Sequence, residues 1–293
     1  MSLPSSLLRA SIIAALALAL VLLGGCSALK LAYGQADALV YRWLDGYADF
    51  DGAQDWRVRR AIAEWFDWHR RTQLQDYAEL LSRIEAEVGS DTTPERVCGW
   101  WEEVRTRMDR AVDHAVPAFA EIARTLTPAQ FAHIAEQQAK SNAEFKERAL
   151  ERDPKRRARE AAARFADRAE WLYGDVDGEQ RERLARELLS TAVDPMLGYE
   201  ERLLRQQEGL RAMQRLGVLE PPAAEAELRG WLERLERSPR AAYRRQAEIQ
   251  SATNCRVFAD LHNRTSAGQR QFAQRRLRGW IADLRALARE AGA

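Results

Sequence analysis

The chain has 293 residues, 45 of them basic and 44 acidic, so its formal net charge at neutral pH is +1. A chain so balanced exerts no global pull on a polyanion, which excludes nucleic-acid binding driven by overall charge. Hydrophobic residues make up 46% of the composition, and the length suffices for one large domain or two small ones.

At the N-terminus, Arg9 and the α-amino group precede an apolar run from Ala10 to Leu23, broken only by Ser11 and followed by Gly24, Gly25 and Cys26. A positive start, a short apolar run and small residues before a cleavage point are the marks of an export signal. The segment Leu23-Gly24-Gly25-Cys26 resembles the lipobox of bacterial lipoproteins. That resemblance implies removal of residues 1–25 and acylation of Cys26 with fatty-acyl chains of the palmitate type. Residues 26–35 would then be the lipidated terminus and tether, and 36–293 a helical domain. An uncleaved anchor is the alternative reading, but a spanning helix wants about 20 mainly apolar residues. This run is shorter and ends in a glycine pair that helices disfavour. Ser27 in place of aspartate resembles outer-membrane sorting, which implies a body anchored by its lipid to the outer membrane and facing the periplasm.

Arg9 is the one charged residue before Cys26, so the remainder carries 44 basic and 44 acidic residues. Cys98 and Cys255 are left as an even pair, and in an oxidising compartment that predicts a disulfide. Two buried free thiols are the other reading.

Beyond Cys26 the sequence reads as helix almost throughout. Ala, Leu, Glu, Arg and Gln dominate, and β-branched residues never alternate over a strand's length. Apolar stripes at helical spacing run through Val58, Ile62, Trp65, Phe66 and His69, and through Tyr77, Leu81, Ile84 and Val88. The longest begins after the start signal Thr93-Pro94-Glu95 and runs Val97, Trp101, Val104, Met108, Val112, Ala115, Phe119, Ile122 and Leu126. Pro117 falls inside it and is expected to kink it. A last stripe comprises Leu277, Trp280, Ile281, Leu284 and Leu287. Breaks are predicted at Gly89-Ser90-Asp91, Asp153-Pro154, Gly174, Asp194-Pro195, Gly217 through Pro222 and Ser238-Pro239. The expectation is an all-α single domain of about nine mostly antiparallel helices. Most of the nine tryptophans lie on or beside the stripes as core residues. Trp68 and Trp100 stand one position off a stripe and are predicted to turn about 100° away, toward solvent or a partner.

One helix start recurs. In Leu126-Thr127-Pro128-Ala129-Gln130-Phe131, Thr127 is the expected N-cap, Pro128 the first helical residue and Gln130 the reciprocal arm of a capping box. Leu126 and Phe131 are placed to close a hydrophobic staple. Asp177 with Gln180 and Ser266 with Gln269 repeat the spacing. The first copy, Leu126, Thr127 and Gln130, resembles the L-T-x-x-Q motif of the Spy/CpxP-like periplasmic proteins, helical chaperones and adaptors that hold unfolded clients on a concave surface. Those proteins are much shorter, are not lipidated and carry two copies.

A wider set of segments is similar to an uncharacterised family of proteobacterial lipoproteins. These are Leu31-Ala32-Tyr33, Trp43 through Asp51, the Leu126 start, Trp171-Leu172-Tyr173-Gly174 with Gln180, and Leu261-His262-Asn263 with Gln269-Arg270. The resemblance implies a location and a helical fold, and no activity.

Chemistry-bearing patterns are sparse. His69, His114, His133 and His262 stand far apart with no metal-ligand spacing, and His69 reads as a hydrogen-bonded core histidine. No nucleophile elbow or phosphate loop occurs, and no cofactor or catalytic residue is expected. Lys155-Arg156-Arg157-Ala158-Arg159, continued by Arg164 and Arg168, is either an anion-contacting face or a solvated helix face paired with interspersed acids. Trp43, Tyr47 and Phe50, interleaved with acids, are candidates for a binding surface together with Trp68 and Trp100. The expected role is binding or scaffolding of an envelope protein, chaperone-like or adaptor-like. An enzyme or ligand carrier acting on a cell-wall or lipid substrate is the alternative.

Overall fold

The computed structural model describes residues 28–150, 153–190 and 193–291, all as helices and short connections. Cys26 and the export segment lie outside the described residues. The helices are α1 (Ala28–Gly34), α2 (Ala36–Ala48), α3 (Gly52–Thr72), α4 (Leu74–Glu87), α5 (Pro94–Ala123) and α6 (Pro128–Ala149). They continue with α7 (Pro154–Tyr173), α8 (Gly178–Leu189), α9 (Pro195–Leu216), α10 (Pro221–Glu236), α11 (Ala241–Asn263) and α12 (Ala267–Glu290).

The expected nine helices are thus corrected to twelve among the described residues. One of the breaks not expected, at Gln73, has no glycine or proline to mark it. Gln73 closes α3 and opens α4, because the chain must turn there to bury Leu74 and Ala78 against Ile281, Leu284 and Leu287 of α12. The stretch read as a tether also contains α1. Its Leu29 and Tyr33 pack on the same cluster, and Lys30 pairs with Glu290 at 2.6 Å.

The capping glutamines organise the rest. Four helix starts carry complete capping boxes: Asp51 with Gln54, Thr127 with Gln130, Asp177 with Gln180, and Ser266 with Gln269. The four glutamines meet as two pairs. Gln54 and Gln130 exchange amide hydrogen bonds of 3.2 and 2.6 Å, and Gln180 and Gln269 do so at 3.4 and 3.2 Å. In each pair, each Nε2 also donates to the carbonyl two residues before the other helix's N-cap. Gln54 reaches Thr125 and Gln130 reaches Asp49, while Gln180 reaches Arg264 and Gln269 reaches Asp175. Each Oε1 accepts its own N-cap amide as well. Every amide hydrogen and oxygen lone pair of the four side chains is used, the condition under which a polar group is stable in an interior.

The chain therefore repeats one arrangement. Helix α2 packs on α3 and α6 as α7 packs on α8 and α12, and α3 meets α5 as α8 meets α11. Asp49-Phe50-Asp51-Gly52-Ala53-Gln54 and Asp175-Val176-Asp177-Gly178-Glu179-Gln180 are the matching turns. The first begins at a residue of positive φ, Asp49 at 49°, and the second directly follows one, Gly174 at 80°, a conformation that Asp and Gly tolerate better than other residues. The halves are joined by α4 on α12 and α5 on α11, and Cys98 of α5 is disulfide-bonded to Cys255 of α11.

Candidate functional site

The two halves differ in what covers the faces of α3 and α8. In the second half, α7 lays Ala158, Ala162, Ala166 and Ala169 against its neighbours, and small side chains permit close approach. Leu184, Val257 and Leu261 complete a continuous core there. In the first half α2 has 13 residues against the 20 of α7. The α3/α5 face beside it stays open as an apolar groove of about 450 Å³, lined by Val40 and Leu44 of α2, Ile62 and Trp65 of α3, and Ala115 and Phe119 of α5, among others.

His69 closes one end of this groove. It is buried, its ring stacks on Trp65 with centroids 4.7 Å apart, and two tyrosines hold its nitrogens. The Tyr33 hydroxyl lies 2.7 Å from Nδ1 and the Tyr77 hydroxyl 3.2 Å from Nε2. A neutral imidazole donates at one nitrogen and accepts at the other, so both tyrosines are satisfied without charge. Burial pushes the His69 pKa down to about 4 and that of Tyr33 up to about 12. The groove end is neutral and hydrogen-bonded to α1 and α4. At its rim His114 stacks on Trp68, centroids 3.6 Å apart.

His262 is the second fully held histidine. Its Nδ1 accepts from Tyr173 at 2.7 Å and its Nε2 donates to the Ser90 carbonyl at 2.7 Å. Burial pushes its pKa down. Among the described residues no cluster of three or more His, Cys, Asp or Glu could hold a metal, and no helix is long and apolar enough to cross a membrane.

The long stripe on α5 departs from expectation. Trp101, Met108 and Val112 are 53%, 53% and 45% exposed, whereas Trp100, expected to face solvent or a partner, is buried. The reason lies in the partners of α5. Positions 96, 100, 103 and 107 face α4, joined by the ion pairs Arg96–Glu87, Arg83–Glu103 and Arg107–Asp76. Apolar periodicity is blind to a face held by charge, so it assigned the wrong side of the helix to the core. The stripe is instead an open apolar track. Val97 and Trp101 border a second groove of about 620 Å³ beside α7 and α11, Met108 and Val112 lie between, and Ala115, Phe119 and Ile122 enter the first groove.

The other candidates fall as follows. Trp43 is 63% exposed and packs on Tyr47 with centroids 5.3 Å apart. Both lie on α2 beside, not in, the groove that Val40 and Leu44 line, and Phe50 is half-buried in the turn after α2. Trp68 is half-buried in its stack with His114. Leu126 packs with the core of Val116, Ala120 and Leu216, Pro128 occupies the first turn of α6, and Thr127 and Gln130 form the capping box and the first glutamine pair. Sequence reasoning missed Tyr33, Tyr77 and Gln54. The last was legible, since Asp51-Gly52-Ala53-Gln54 has the same cap-to-glutamine spacing as the three starts recognised.

No curated protein and no solved structure matches the chain. A family profile does match, over residues 46–244. That span takes in the α3 and α5 walls of the first groove, the α5 track, Gln54, Gln130 and Gln180, and the chain accordingly belongs to DUF6279, a family of unknown function.

Proposed function

We propose that this protein is a lipid-anchored binding module of the bacterial envelope that takes up an apolar helix of an envelope protein along α5, in the manner of a chaperone or adaptor. One observation carries the reading. The α3/α5 face that α7's counterpart would cover is open in the first half, and an exposed apolar stripe continues from it. A helix covers the equivalent face within the same chain, so an apolar helix is the shape this groove suits. A shallow apolar concavity favours client binding over catalysis, which calls for a deep pocket with converging polar groups. The lipid anchor rests on the lipobox resemblance of Leu23 through Cys26, and the outer-membrane location facing the periplasm on Ser27 in place of aspartate.

The test is suppression of light scattering when a urea-unfolded outer-membrane protein is diluted into buffer with the purified full-length chain. The wild type is expected to suppress it, and Ile62→Glu and Met108→Glu to lose most of that effect while keeping their helical circular dichroism. Met108 is exposed, so its replacement tests the track without disturbing the core. Unchanged scattering with the wild type, or equal suppression by both variants, refutes the reading. For the anchor, Cys26→Ser is expected to abolish labelling by radioactive palmitate, and undiminished labelling refutes it.

A further inference from the structure

The second groove, taken with the hollow beside it, has a feature the first lacks, a row of arginines. Trp101 of α5, Phe165 of α7 and Phe258 of α11 give it apolar surface. It adjoins a further hollow of about 440 Å³ through the shared Val193 and Gln250, where Leu188 and Leu189 supply more. Arg164 lines that hollow and Arg168 the groove, both on α7, and Arg148 joins them from α6. Arg164 and Arg168 are one turn apart, and Arg157 lies seven residues before Arg164, so α7 presents all three on one face. Among the described residues Arg148, Arg164 and Arg168 form no ion pair, whereas Glu160, the acid in the same wall, pairs with Arg156 at 3.1 Å.

The geometry points to this groove as a second docking site, selective for an acidic amphipathic helix of a partner protein. Its apolar face would pack on Trp101, Phe165 and Phe258, and its carboxylates would pair with Arg148, Arg164 and Arg168. Charge complementarity selects the occupant. From Arg157 to Arg168 the basic face runs 11 residues of helix, roughly 16 Å at 1.5 Å per residue. That length matches a row of carboxylates at helical spacing, while a lipid headgroup concentrates its charge at one end. Guanidinium groups suit carboxylates through two-pronged hydrogen bonds. The two grooves have no lining residue in common, although both open onto the α5 track.

The experiment uses the purified full-length protein and a fluorescein-labelled 18-residue helical peptide with leucines on one face and glutamates on the other. Its counterpart carries lysine for every glutamate, and fluorescence anisotropy is read at low and physiological salt. The glutamate peptide is expected to bind at least tenfold tighter than the lysine peptide, with the gap narrowing as salt rises. Arg164→Glu/Arg168→Glu should weaken glutamate-peptide binding at least tenfold, and Arg164→Gln/Arg168→Gln by a smaller factor. Arg211→Glu/Arg289→Glu, on exposed positions of α9 and α12, and Ile62→Glu in the first groove should leave it unchanged. Circular dichroism confirms that each variant is folded. Equal affinity for the two peptides overturns the proposal, as does a charge-reversed pair that binds the glutamate peptide like the wild type. Phosphatidylglycerol vesicles bound through the same arginines, with no preference between peptides, would overturn it in favour of a lipid.

Discussion

Replacing His69 by glutamine should remove a defined part of the protein's acid sensitivity. The ring is buried between Trp65, Tyr33 and Tyr77, and burial pushes its pKa from an ordinary 6.5 to about 4. As the pH falls below about 6.5, the unfolded chain takes up a proton on this side chain that the folded ring refuses until about pH 4. The contribution is therefore fully present above the unfolded pKa and is lost as pH falls from 6.5 toward 4. One pKa unit corresponds to about 1.4 kcal/mol. Acidification to about pH 5 thus removes about 2 kcal/mol through His69, and no more than about 3 kcal/mol is lost by pH 4. Glutamine can hydrogen-bond to both tyrosines but does not titrate. Urea unfolding of the wild type and of His69→Gln at about pH 7 and pH 5 gives the comparison. His262 is present in both proteins and cancels. The wild type is expected to lose about 2 kcal/mol more than the variant over this interval. Equal losses, within about 0.5 kcal/mol, would refute the assignment of His69 as a neutral, buried ring.

Gln130→Leu breaks one capping box, strips the Thr127 amide and the Asp49 carbonyl of their side-chain partner and takes one donor and one acceptor from Gln54, which should lower stability by about 3 kcal/mol, read as a shift in urea midpoint. Gln180→Leu in the matching pair should cost a similar amount, and a loss below about 0.5 kcal/mol in both would show that the pairs do not hold the halves. Cys98→Ser/Cys255→Ser opens a loop of sequence separation 157, and the chain-entropy relation predicts a loss of about 5 kcal/mol. Thiol titration of the unfolded wild type should show that Cys98 and Cys255 are not free. Gly209→Ala would place a Cβ 2.8 Å from Cζ2 of Trp231, and a lower melting temperature equivalent to about 1–3 kcal/mol is expected.

How much of this was readable beforehand differs from element to element. The start of α6 was plain, because Thr127, Pro128 and Gln130 satisfy backbone groups of their own first turn, a local requirement written within four residues. The same holds for Asp177 with Gln180 and Ser266 with Gln269. The stripe of Leu277, Ile281, Leu284 and Leu287 is buried as expected, since α12 meets its neighbours through apolar residues. The first half of the α5 stripe was misassigned, because the α4-facing side of α5 is held by arginine–carboxylate pairs that apolar periodicity does not register. Met108 and Val112 have the spacing of a core and the exposure of a surface.

The sequence by itself determined what depends on near neighbours along the chain: an all-helical body, its caps and most of its breaks, and the even cysteine pair. Tertiary structure alone decided which partner each cap met and which stripe was covered. Gln130 reaches Gln54 across 76 residues and Gln269 reaches Gln180 across 89, separations at which no local rule operates. The open groove arises the same way. The stripe at its walls is as apolar as the covered one, and only the placement of α2 beside α3 leaves it exposed.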